Sequence, residues 1–83
     1  MRQRYNEISI RAAAAKDGLN GLEQRMARQG VGLRGDISAA RTRLDYLLQE
    51  AMQAIRAGDV EAARRNLEYA DGNATTIERF LGR

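Results

Sequence analysis

The sequence predicts an all-α protein, a small three-helix bundle in which a long N-terminal helix packs on an antiparallel αα-hairpin. Three observations predict this fold. Apolar residues recur at alternating steps of three and four in three segments, glycine-containing breaks separate these segments, and proline is absent from the 83 residues. A chain of this length forms one domain. We expect its helices at about residues 3–29, 37–57 and 60–81.

The first helix is predicted from an apolar stripe that lies along one helical face. The stripe consists of Tyr5, Ile8, Ala12, Ala15, Leu19, Leu22 and Met26. Gly18 and Gly21 lie inside this segment, and each costs about 1 kcal/mol relative to alanine. Because the stripe keeps its register across both glycines, we expect a continuous helix. The three glycines of residues 30–35 then end it near Gln29.

The second helix is predicted to begin after an aspartate that caps it. The Asp36 carboxylate would accept hydrogen bonds from the first backbone N–H groups of the helix. Val31 and Leu33, in the preceding loop, are expected to fold inward against the end of the bundle. The apolar stripe of this helix is Ile37, Ala40, Leu44, Leu47, Ala51 and Ala54, widened by Leu48 and Ile55.

The third helix is predicted to follow a two-residue turn. Gly58 suits the left-handed position that ends a helix, and Asp59 suits the N-cap of the next one. Two residues are enough to reverse the chain into an αα-hairpin. The third stripe is Val60, Ala63, Leu67, Ala70, Ala74, Ile77 and Leu81, and we expect Phe80 to anchor the C-terminal end of the helix with the last two of these.

The hairpin resembles the turn of a tetratricopeptide unit. In that family a Gly-Asp pair is followed by small and apolar packing positions, which Ala63, Leu67 and Ala70 match here. The likeness covers about sixteen residues. Glu50 stands where the family has a leucine, the terminal proline is missing, and no second unit follows. The resemblance therefore implies a shared turn geometry.

The residue inventory argues against an enzyme. The chain has no cysteine and no histidine, so it has no disulfide, and a zinc site or a nucleophile–base pair is not expected. Glu68 and Asp71 share a helix face, but such a pair is typical of a solvated surface. We predict no catalytic residue, no metal, no cofactor and no small-molecule substrate.

The positive charge is concentrated in the first third of the chain. The net charge is +3, and one side of the first helix presents a basic face of Arg4, Arg11, Arg25 and Arg28. This face could bind nucleic acid or another anionic polymer, but no aromatic residue lies among the arginines as a stacking platform. Many arginines also stand at i,i+4 from a carboxylate, which favours neutralised pairs. The pairs are Glu7–Arg11, Arg41–Asp45, Glu61–Arg65 and Arg64–Glu68.

The function predicted first is protein–protein interaction. A chain this short buries little apolar surface, and its alanine-rich stripes bury still less, so a protein partner or a homo-oligomer would add stability. We expect a non-catalytic interaction or assembly module that self-associates or docks to a larger protein. The predicted contact residues are Tyr5, Ile8, Ile10 and Tyr69.

Two further hypotheses concern the setting of the chain. Lys16 is the only lysine, and this excess of arginine is typical of a GC-rich bacterial genome. No apolar run approaches the length of a membrane span, so we expect no membrane insertion. A cytoplasmic location is slightly favoured. A segment of a longer, periplasmic or membrane-tethered protein is the alternative if an anchor precedes Met1.

Overall fold

Three α-helices make up the protein in a computed structural model that describes residues 1–82. They are α1 (Arg2–Ala27), α2 (Gly35–Ala57) and α3 (Val60–Phe80). The described residues contain no strand. The predicted three-helix bundle is confirmed, and each helix end lies within two residues of its predicted position. Helix α1 runs unbroken through Gly18 and Gly21, as its stripe predicts.

The helices alternate in direction along the chain. Arg4 and Arg11 of α1 form ion pairs with Asp71 and Glu78 of α3, so these two helices run parallel. Lys16 of α1 pairs with Asp45 of α2, while the later Glu23 pairs with the earlier Arg41, so α1 and α2 run antiparallel. The resulting bundle is elongated and measures 47 × 19 × 16 Å.

The core is built from the three predicted stripes. Its buried members are Ile8, Ala12, Ala15, Leu19, Ile37, Ala40, Leu44, Leu48, Ala51, Ala54, Ala63, Leu67, Ala70, Ala74 and Ile77. Eight of these fifteen are alanine, so the helices approach closely while each layer buries little apolar area. Phe80 and Leu81 pack half-buried on the core, as predicted. Val60 is an exception to its stripe, since it lies at the turn and is about half exposed.

The turn between α2 and α3 has the predicted geometry. Gly58 has φ 75° and ψ 15°, in the left-handed region. Its N–H donates to the carbonyl of Ile55 at 3.1 Å, and the Asp59 N–H donates to that of Ala54 at 2.9 Å, which is a Schellman motif. The Asp59 carboxylate accepts from the N–H of Ala62 at 3.1 Å and caps α3.

Replacing Asp59 with alanine removes this cap. We expect a loss of about 1 kcal/mol in the free energy of unfolding, because the first N–H groups of α3 lose their side-chain acceptor. Urea denaturation followed by circular dichroism measures the loss. The Asp59→Ser variant, which retains an acceptor oxygen, should keep most of the stability that the alanine variant loses. Equal losses in the two variants would contradict the capping role.

The loop between α1 and α2 corrects two predictions. The prediction that Asp36 is the N-cap of α2 is wrong, because the helix already begins at Gly35 and the cap position belongs to Arg34. Asp36 lies in the first turn, where its carboxylate pairs with Arg34 at 2.8 Å and, as predicted, accepts a backbone N–H of that turn, from Ile37 at 3.0 Å. Of the two apolar loop residues, Leu33 packs against the core as predicted, but Val31 is half exposed.

Candidate functional site

The four side chains predicted to contact a partner lie in different environments. Tyr5 is half-buried and packs against the core, and Ile8 is part of the core at 1 % exposure. Ile10 is 71 % exposed and Tyr69 is 59 % exposed. In the folded bundle only the last two present most of their surface to a partner. Ile8 therefore does not belong to a contact surface.

The exposed apolar side chains lie on separate faces of the bundle. Ile10 stands two residues from both Ile8 and Ala12, which are buried, so it projects from the opposite side of α1. Tyr46, which is 59 % exposed, likewise stands two residues from the buried Leu44 and Leu48, so it projects from the opposite side of α2. The large exposed apolar residues within 1–82 are Met1, Ile10, Val31, Tyr46, Val60 and Tyr69.

A network of ion pairs joins α1 to α3. The Arg11 guanidinium donates to Asp71 at 2.6 Å, to Glu78 at 2.8 and 3.2 Å, and to the hydroxyl of Thr75 at 3.1 Å. Arg4 adds a 3.2 Å bond to the second carboxylate oxygen of Asp71. Two of the four arginines of the predicted basic face are thus neutralised. Their role in the structure is to hold α1 against α3.

The charges of this network shift the pKa values of Asp71 and Arg11. Hydrogen bonds from Arg11 lower the pKa of Asp71 below its ordinary value, against an opposing effect of partial burial. Bonds to Glu78 and then Asp71 raise the pKa of Arg11 above its ordinary range. Both groups are therefore ionised at neutral pH.

Replacing Asp71 with asparagine tests the network. We expect a loss of about 0.5–1 kcal/mol in the free energy of unfolding at pH 7, since the pairs are partly exposed. Folding lowers the pKa of Asp71, so its contribution is fully present above the unfolded pKa of about 3.9 and is lost as pH falls through the lower folded pKa. The difference between wild type and variant in urea denaturation should therefore shrink as the pH falls below the unfolded pKa of about 3.9. The exposed Asp17→Asn serves as the control, and a difference that persists in strong acid would argue against this origin.

The predicted i,i+4 pairs are replaced by other contacts. Arg11 bonds across to α3, Arg41 bonds across to Glu23 of α1, and Arg64 bonds to Glu61 three residues before it. Sequence reasoning missed the role of Thr75 and Glu78. A usable signal was present, because Arg4 and Arg11 are seven residues apart and so are Asp71 and Glu78, as flanking charges of two parallel helices would be.

The other two arginines of the predicted basic face remain exposed. Arg25 and Arg28 form no ion pair with any residue in the range 1–82. They lie at the C-terminal end of α1 and in the loop that follows. Two cations at one end of a helix provide few contacts to a nucleic-acid backbone, whose binding depends on several contacts between cations and phosphates.

A polar cleft of about 480 Å³ lies between α1 and α2. Its charged walls carry Lys16, bonded to Asp45 at 2.6 Å, and Arg41, bonded to Glu23 at 3.1 Å. Because each cation already has a carboxylate partner, the cleft offers no unpaired positive charge to an anionic ligand. Its ion pairs join α1 to α2 just as the Arg11 network joins α1 to α3.

No cluster of potential metal ligands occurs within residues 1–82. Over the same residues, no helix contains an apolar stretch long enough to cross a membrane. Comparison of the chain with models of known families, with curated proteins and with solved structures finds no match.

Proposed function

We propose that this protein is a non-catalytic helical interaction module that assembles with another protein chain through apolar side chains exposed on its helices. The observation that carries the proposal is the exposure of Ile10, Tyr46 and Tyr69 at 71, 59 and 59 %. Tyrosine combines a large apolar ring with a polar hydroxyl and is enriched at protein interfaces. Leaving these side chains in water forgoes apolar burial that a partner could supply.

The composition of the core supports the same proposal. More than half of the buried residues are alanine, so the bundle buries little apolar area for its length. The chain has no cysteine for a disulfide, so close helix packing and association are the routes by which a chain of this size gains stability. The carboxylates of the two interhelical networks are engaged by arginine or lysine, which favours a structural use of these groups over acid–base chemistry.

Sedimentation equilibrium from micromolar to millimolar protein tests the proposal. We expect concentration-dependent association that persists in high salt, because apolar contacts are not screened. The triple variant Ile10→Ser, Tyr46→Ser, Tyr69→Ser should lose it and keep its helical circular dichroism. The double variant Gln49→Ser, Gln53→Ser changes exposed polar positions only and serves as the control.

The competing hypothesis is binding of an anionic polymer through α1. Fluorescence anisotropy with a labelled DNA duplex separates the two. Affinity for the duplex that falls steeply with salt, in a chain that stays monomeric, would favour nucleic-acid binding and contradict the proposal.

A further inference from the structure

Helix α1 is joined to the other two helices by charge as well as by apolar contact. Within residues 1–82, every ion pair between two helices includes α1. The side chains of these pairs are 25–55 % exposed, so dissolved salt screens them. The pairs are Arg4–Asp71, Arg11–Asp71, Arg11–Glu78, Lys16–Asp45 and Glu23–Arg41.

The buried apolar contact of α1 ends before the helix does. Leu19 is its last buried residue, although the helix continues to Ala27. In α2 and α3 the buried residues extend from Ile37 to Ala54 and from Ala63 to Ile77. Two of the four buried side chains of α1 are alanine, which buries little apolar area. The last turns of α1 therefore add no fully buried side chain to its attachment.

The sequence of α1 disfavours a helix that stands alone. No side chain caps its N-terminus, and its first turn has no acidic residue. Arg2 and Arg4 place cations there, against the helix dipole. Gly18 and Gly21 weaken the interior of the helix. Because helices in proteins owe most of their stability to tertiary packing, α1 should unwind once it is separated from the hairpin.

The α2–α3 hairpin does not depend on α1 in the same way. Its two helices pack against each other far more extensively than either packs against α1. Its turn is closed by the Schellman motif at Gly58 and by the cap from Asp59, and neither uses a residue of α1. The weakest seam of the bundle is therefore the one between α1 and the hairpin.

We infer that α1 is a releasable cover of the hairpin: in the native protein it detaches from an intact α2–α3 hairpin and unwinds, and its ion pairs limit how often it does so. Such partial opening draws on the least stable element of a structure. Release exposes the apolar side of the hairpin, so a partner gains access to more apolar surface than the closed bundle presents. The inference goes beyond the proposed function, which concerns side chains exposed in the closed bundle.

Native-state hydrogen exchange at micromolar protein, read by mass spectrometry of peptides, tests for the released state. The protection of an amide reports the free energy of the opening that exposes it. We expect the inner amides of α1, between Ile8 and Leu19, to be about tenfold or more less protected than those of α2 and α3. Equal protection in all three helices would overturn the inference, because α1 would then leave only when the whole bundle unfolds.

Two glycine variants of the hairpin separate release of α1 from unfolding of the whole bundle. Gly72→Ala should raise the protection of α2 and α3 about fivefold, and Gly58→Ala should lower it about fivefold or more. At both positions an added Cβ meets no atom within 4 Å, so the contacts of α1 are unchanged. Because the hairpin is intact before and after release, the protection of α1 should stay within about twofold of the wild type. A rise in α1 that follows the rise in the hairpin of Gly72→Ala would overturn the inference.

Salt tests the ion pairs that limit release. Raising the ionic strength from about 0.01 M to about 1 M shortens the Debye length from about 30 Å to about 3 Å, and we expect the protection of α1 to fall about fivefold or more. Arg11→Gln, which removes the bonds to Asp71 and Glu78, should lower the protection at low salt and reduce the response to salt.

Arg64→Gln is the matched control, since it makes the same change of net charge. It removes a pair with Glu61 that lies inside α3 and does not touch α1. This variant should keep the wild-type protection of α1 and the wild-type response to salt. An equal salt response in the wild type and in Arg11→Gln would overturn the role of the ion pairs in holding the cover.

Discussion

The Ile8→Ala variant is expected to lose about 2–5 kcal/mol of its free energy of unfolding. Ile8 is 1 % exposed and packs in the core beside alanine-rich layers, whose short side chains cannot move in to fill the space. A domain of this size has a total stability of only about 4–12 kcal/mol. The loss should be visible in urea denaturation at micromolar concentration as a large fall in the transition midpoint.

The matched control lies two residues away on the same helix. Ile10→Ala removes the same atoms from a side chain that is 71 % exposed, and we expect a change within about 0.5 kcal/mol. The two positions also separate folding from association, since only Ile10 is exposed to a partner. Similar losses at both positions would contradict the placement of Ile8 in the core and Ile10 on the surface.

Substitution of Gly58 by alanine has the second largest expected effect. The residue has φ 75°, which costs a side-chain-bearing residue about 1–2 kcal/mol. The space around it is open, since a Cβ there would meet no atom within 4 Å. The cost is therefore one of backbone conformation alone. Asparagine tolerates this conformation better, so Gly58→Asn should lose less than Gly58→Ala.

Gly72→Ala provides a control of opposite sign. Gly72 lies inside α3 without a positive φ, and its surroundings are equally open. We expect this variant to gain about 1 kcal/mol in the free energy of unfolding, since alanine favours the helix. Denaturation of the two alanine variants under the same conditions measures both effects. A gain from Gly58→Ala would contradict the left-handed turn.

The fold could be predicted because its main determinants are local and periodic. The apolar stripes placed the helices, and Gly58 with Asp59 placed the turn, because both signals depend on residues close in sequence. The start of α2 was harder to place. Asp36 is a good cap by residue type, but the helix begins at Gly35, two residues before the predicted start, and no pattern in the loop distinguishes the two starts.

The candidate site was less predictable because it depends on how the helices are arranged. Glu7 is as close to Arg11 in sequence as a helical ion pair requires, yet Arg11 bonds to Asp71 and Glu78 instead. That preference follows from the parallel packing of α1 on α3, which the stripes alone do not specify. For a related reason the sequence pattern predicts Ile8 both in the core and at a contact surface, since a stripe identifies an apolar face but not the element that covers it.

The two-residue turn at Gly58 and Asp59 has a consequence for the order of folding. Because α2 and α3 are adjacent in the chain, their contacts close short loops, and such contacts form quickly. Helix α1 is tied to α3 through residues more than sixty positions apart, as in the pair of Arg4 and Asp71. The hairpin should therefore form in the transition state and α1 should dock afterwards, so that substitutions in the α2–α3 seam slow folding while those in α1 chiefly speed unfolding.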